Sequence, residues 1–155
     1  MITKGLSIKV KSQHYTFELT SNLSDLKALN EHLVAFGGNI GMTDLCISEV
    51  NICLDELFTN IVLYGFNDDL EHKIKFSLKV EDNLLITIME DDGVPFNPLK
   101  KKAVKLPENV DDAQIGGLGI HITKELVDKI SYERKGDLNI LTIKKSIPIN
   151  ENLSQ

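Results

Sequence analysis

From residue 46 to residue 64, apolar side chains recur at the period of an α-helix for about five turns. They are Cys46, Val50, Cys53, Leu57, Ile61 and Tyr64. A helix with so long an apolar stripe gains most of its stability by burying it, so this one demands a sheet or other helices alongside. Thr43 or Asp44 can cap its start, and Gly65 stands where it should end. The two cysteines, Cys46 and Cys53, share its inward face about two turns, or roughly 10 Å, apart. That is too far for a disulfide, so they read as buried thiols in a reducing compartment.

The partner for this stripe is written on both sides of it. Leu6, Ile8 and Val10 alternate as in a strand, and Tyr15, Phe17 and Leu19 do so again after Ser12-Gln13. Asn22 or Ser24 can cap a helix with inward residues Leu26, Leu29, Leu33 and Phe36, for which Gly37-Gly38 predicts a stop. After the long helix, Ile74, Phe76, Leu78 and Val80 alternate with polar neighbours, Asp82-Asn83 forms a turn, and residues 84–89 are apolar on both faces. A strand buried on both faces belongs in the middle of a sheet. Residues 94–116 hold Pro95, Pro98 and Pro107 with little periodicity, the mark of a lid or binding loop. A helix to about residue 129 and two strands, near 130–134 and 138–146, complete the pattern around a turn at Gly136-Asp137. Short turns between successive strands predict an α+β fold: a two-layer sandwich with a mixed, mostly antiparallel sheet and its helices on one face.

A chain of 155 residues accommodates one domain, expected over residues 1–149, with residues 150–155 a frayed tail. The apolar fraction of 42% supports a real core, and the net charge of −6 argues against a general affinity for nucleic acid. Neither a signal-type apolar run nor a membrane-length segment is present, which predicts a cytoplasmic protein.

Three short elements carry chemistry. Glu56 and Asn60 lie four residues apart on the long helix and leave the same face. An amide oxygen can ligate a hard cation there while the carboxylate accepts a proton, although such a pair taken alone is more often a helix's polar edge. The second element, residues 88–93, runs an apolar strand into Glu90-Asp91-Asp92-Gly93 and so sets a carboxylate at the sheet's end. By itself it reads as an ordinary strand-ending turn. The third, Gly116-Gly117-Leu118-Gly119, opens a helix, where exposed N–H groups and the helix dipole favour an anion. It is neither a P-loop nor a dinucleotide-binding fingerprint, which needs glycine where Ile122 stands.

In this order, with a lid between the second and third, the elements resemble the N, G1 and G2 boxes of the GHKL ATP-binding fold shared by histidine kinases, gyrase-type ATPases and Hsp90. The resemblance covers about residues 14–148. The pattern Asp-Glu-Leu-x-x-Asn with Gly-Gly-Leu-Gly-Ile looks like the anti-sigma factor serine kinases of the RsbW and SpoIIAB type. It implies ATP or ADP with Mg2+ as cofactors, Glu56 as the base that activates a substrate serine, and Asn60 as the magnesium ligand. It further implies that Asp91 accepts the adenine amino group, with Gly93 packed under the base. Gly117, Leu118 and Gly119 would hold the phosphates, and Thr142 matches a threonine near adenine. The implied partners are a STAS-type anti-anti-sigma protein, a sigma factor and a second copy in a homodimer. No dimerisation helix with a phosphorylatable histidine is present; His14, His32, His72 and His121 are scattered and read as surface or satisfied residues. The alternative to a kinase is a nucleotide-switched module that sequesters its partner. The retained Glu56 favours the kinase, because a switch needs the metal ligand but not the base.

Overall fold

The computed structural model describes residues 13–100 and 117–148. Five strands form one sheet: β1 (Gln13–Thr20), β2 (Lys73–Glu81), β3 (Leu84–Asp91), β4 (Lys129–Lys135) and β5 (Leu138–Ser146). Their spatial order is β1-β2-β3-β5-β4, and every pairing among the described residues is antiparallel. The strand expected to be central, β3, is indeed the middle one of the five. The β2–β3 hairpin turns on Asp82 and Asn83, both at positive φ (47° and 61°), which suits the right-handed twist of the flanking strands.

Three helices cover one face: α1 (Leu26–Ile40), α2 (Asp44–Tyr64) and α3 (Gly117–Leu126). Thr43 caps α2, its side chain accepting from the backbone N–H of Cys46. From α2 the residues Val50, Cys53, Leu54, Leu57 and Phe58 are fully buried, as are Ile74, Phe76 and Leu78 from β2. Phe17 and Phe76 stack across β1 and β2 with ring centroids 5.0 Å apart. Both cysteines are free and buried, and burial pushes both thiols up from their ordinary pKa.

One boundary differs from the sequence expectation. Gly37-Gly38 does not stop α1, which runs on to Ile40 and ends at Gly41 in the left-handed region (φ 78°). Gly37 instead lets the two helices touch, since a Cβ there would lie 2.8 Å from Ile47 Cγ1 on α2. The expected strand around Leu6–Val10, the segment 101–116 and the tail lie outside the described residues.

Candidate functional site

The site begins where β3 ends. Asp91 is the last residue of β3 and is buried at 5% exposure, an unusual position for a carboxyl group. Its Oδ1 accepts two hydrogen bonds, from the Gly93 N–H (2.9 Å) and from Asn139 Nδ2 (2.9 Å). Both donors reach the same oxygen, so among the described residues Oδ2 takes no part in holding the carboxyl group. Burial pushes the Asp91 pKa up, the bonds from Asn139 and Gly93 oppose that shift, Asp92 adds to it and Arg134 works against it.

Asn139 on β5 organises this end of the sheet and was not singled out from the sequence. It pairs directly with Asp91 across β3 and β5. Its Nδ2 also donates to the Val94 carbonyl (2.9 Å), and its Oδ1 accepts from the Tyr132 hydroxyl (2.6 Å) and the Phe96 N–H (3.4 Å). The signal for it lay in the alternation of residues 138–146, which puts 139, 141 and 143 on the helix-covered face. By the same alternation Thr142 lies on the opposite face of β5 from Asn139 and Leu141 and does not line the pocket.

The turn after Asp91 is locked to the end of α2. Val94 N–H donates to the Gly65 carbonyl (2.8 Å), and Arg134 Nη1 donates to the Gly93 carbonyl (2.8 Å). A Cβ on Gly93 would come within 2.1 Å of the Gly65 oxygen, so only glycine fits the close approach. Beneath lies a small pocket of about 20 Å³, lined on the helix side by Leu57, Asn60, Ile61 and Gly65. Asp91, Asn139 and Leu141 line it from the sheet, with Phe96, Pro98 and Tyr132 at its rim. It is mostly apolar with a carboxyl group and two amides converging on it, the make-up of a small-molecule site.

Asn60 is buried at 5% exposure and lines this pocket, one turn along α2 from Glu56. Glu56 is half-buried and lies against α3, where a Cβ on Gly119 would stand 2.0 Å from its Oε2. The structure thus brings Asp91 and Asn60 together around one pocket, packs Gly93 against the Gly65 that also lines it, and sets Glu56 beside Gly119 on the neighbouring helix. Gly117, Leu118 and Gly119 form the first residues of α3, with the Leu118 side chain exposed. Residues Lys101, Lys102 and Lys105 of the expected lid are outside the described residues.

The sequence profile of the histidine kinase-like ATPase domain matches residues 19–145. The chain belongs to that family. Members similar to it include the serine/threonine-protein kinase BtrW of Bordetella bronchiseptica, 28% identical over 94 residues, which are 61% of this chain and 66% of BtrW. The anti-sigma F factor of Bacillus subtilis is 21% identical over 92 residues, 59% of this chain and 63% of the factor. The chain therefore spans just under two thirds of the length of these two relatives. Among solved structures, the RsbU and RsbW domains of a Mycobacterium tuberculosis protein share the fold with a TM-score of 0.61 at 13% identity, over 89% of this chain and 34% of that one. For a histidine kinase-like ATPase domain, a buried carboxyl group above a glycine-floored pocket fits an adenine nucleotide. Both bonds to Asp91 fall on Oδ1, which leaves Oδ2 for a donor on such a ligand. Asn60 offers a single amide oxygen, which suits a magnesium ion held mainly by phosphates and water.

Proposed function

We propose that this chain binds ATP with magnesium and transfers the terminal phosphoryl group to a serine or threonine of a partner protein, as part of an anti-sigma regulatory system in the cytoplasm. The observation that carries this reading is the placing of Glu56 against Gly119, one turn of α2 from the pocket-lining Asn60. A domain that only bound nucleotide would need the amide but not the carboxylate. Asp91 accepts the adenine amino group through Oδ2, and Gly93 lies under the base. The backbone N–H groups of Gly117, Leu118 and Gly119 approach the phosphates, and Glu56 takes the proton of the attacking hydroxyl. The metal, when bound through Asn60, neutralises phosphate charge during transfer.

The names of the relatives support the rest of the reading. An anti-sigma factor holds a sigma factor, and a partner of the STAS type is the expected phosphate acceptor. A homodimer would compose the holding surface from both copies. Direct nucleic-acid binding is not part of the proposal, and no described helix is long and apolar enough to cross a membrane.

The test uses the purified chain, labelled ATP with magnesium, and a STAS-domain protein encoded beside it. Glu56→Gln keeps the side chain's shape and removes the proton acceptor. ATP affinity should stay near normal while transfer slows by about a hundred-fold or more, since general-base catalysis is worth about 10²–10⁴-fold. Asn60→Ala should damage both binding and transfer. If the native chain transfers nothing yet captures the STAS protein in a nucleotide-dependent way, the kinase reading fails and the chain is a nucleotide-switched sequestering module.

A further inference from the structure

The turn that carries Asp91 and Gly93 is held at a fourth point, and this one is an ionisable clamp. His72 lies just before β2, at the end of the connection from α2. One ring nitrogen, Nε2, is 2.7 Å from Asp68 Oδ1 in that same connection, and the other, Nδ1, is 3.1 Å from Asp92 Oδ1. The Phe66 ring stacks on the imidazole with centroids 4.2 Å apart. The His72 backbone is fixed as well, because its N–H donates to Ser21 Oγ (2.9 Å) and its carbonyl accepts from the Ser21 N–H (2.8 Å).

An ionised carboxylate only accepts hydrogen bonds, and a neutral imidazole has one N–H to give. Both bonds are made at once only by the imidazolium. Among the described residues the charged groups facing the ring are Asp68 and Asp92; the Ser21 side contributes no charge. Its hydrogen bond to Asp68 raises the His72 pKa above the ordinary histidine value, a lesser contribution from Asp92 adds to that, and desolvation opposes it.

We propose that His72 is a positioning residue for the nucleotide pocket: as the imidazolium it ties Asp92, and with it the Asp91–Val94 turn, to the α2–β2 connection. The inference rests on reading that pocket as a nucleotide site. The turn carries the base-accepting carboxyl group and the glycine under the base, so whatever holds it in place raises the fraction of molecules ready to bind. A raised histidine pKa means that the clamp is complete below the ordinary value and is released as pH rises through the raised one. Nucleotide affinity therefore falls on the alkaline side for a reason separate from the chemistry of transfer.

The test is calorimetry with ADP from pH 6 to pH 9 on three proteins: the native chain, His72→Gln and Asp92→Asn. A 15N-imidazole titration of the native chain marks where His72 loses its proton. Partly exposed ion pairs are worth about two- to five-fold in an equilibrium, so the native chain should lose that much more affinity than either variant across the His72 titration. His72→Gln should bind at the weaker level throughout, and Asp92→Asn, whose amide can bond the imidazole in either protonation state, should show no step across that titration. The phosphates of ADP titrate identically for all three proteins, so the difference between proteins is the readout. Asp92→Asn changes an exposed side chain and keeps the measurement meaningful if His72→Gln folds poorly. Equal pH slopes in all three proteins would overturn the clamp. Absence of ADP binding at any pH would instead overturn the nucleotide reading, and the inference with it.

Discussion

Asn139 Nδ2 donates to Asp91 Oδ1 at 2.9 Å between two directly paired residues of β3 and β5. The amide fixes which oxygen of the carboxyl group is occupied. With Oδ1 taken by Asn139 and by the Gly93 N–H, a ligand donor meets Oδ2. A proton gained by the carboxyl group must go to that same oxygen, because Oδ1 already faces two N–H donors.

Asp91→Ala should therefore weaken ADP binding by about ten- to a hundred-fold, the range for losing a charge-assisted hydrogen bond in a buried site. Calorimetry measures this directly, and unchanged affinity would remove Asp91 from the pocket's function. Asn139→Ala should weaken binding too and also cost stability. It leaves the Val94 carbonyl and the Tyr132 hydroxyl without the partner they share, a loss of about 1–3 kcal/mol.

Acid separates these two quantities. The Asp91 pKa is raised by burial, so the folded protein holds that proton at a pH where the unfolded chain has lost it. As pH falls through the raised value, Asp91 contributes to stability relative to neutral pH. The proton blocks Oδ2 over the same interval, so nucleotide binding falls. Asp91→Asn should bind ADP weakly with a flatter acid limb, and its thermal stability should depend less on pH there than that of the native chain. Parallel acid limbs for the two proteins would contradict this.

Two glycines in the site should respond differently to the same added methyl group. Gly119→Ala drives a Cβ against the far end of the Glu56 side chain, which can swing aside. The fold and ADP affinity should survive, with transfer to a protein substrate reduced. Gly93→Ala drives a Cβ against the backbone oxygen of Gly65, which cannot move without α2, so stability should drop by about 1–3 kcal/mol along with affinity. Thermal melts and calorimetry on the pair decide the matter, and matching behaviour would undo the distinction.

Thr43→Ala removes the side-chain cap of α2 and should cost about 1 kcal/mol. In a domain of this size that corresponds to a melting temperature about 2–4 °C lower. A larger fall would mean that the start of α2 also carries tertiary contacts.

Local pattern made α2, the β2–β3 hairpin, the central place of β3 and the three chemical elements legible in the sequence. Period and turn chemistry are properties of neighbouring residues, and these features need nothing else. Asn139 was not legible, because its importance comes from the register that sets β5 beside β3, a relation between residues 48 positions apart. The resemblance likewise did not give the face of Thr142: a family match fixes a strand, whereas only the pleat tells which face a residue takes. Gly37 looked like a helix stop because a glycine pair usually is one; its real constraint is the nearness of Ile47, which no local window contains. His72 read as a scattered surface histidine until Asp68 and Asp92 were seen on either side of its ring.

Glu56, Asn60 and Gly65 all belong to α2 or to its cap, so the helix acts as a ruler between the two ends of the site. Nine residues at about 1.5 Å each separate the Glu56 carboxylate from Gly65, whose carbonyl holds the turn after Asp91, roughly 14 Å along the axis. One residue inserted between them would lengthen that span by only about 1.5 Å, yet turn one end against the other by about 100°. Side chains in this interval can be exchanged one for another within the limits of packing. The count of residues cannot change, because the spacing of the site is kept by the pitch of a single helix.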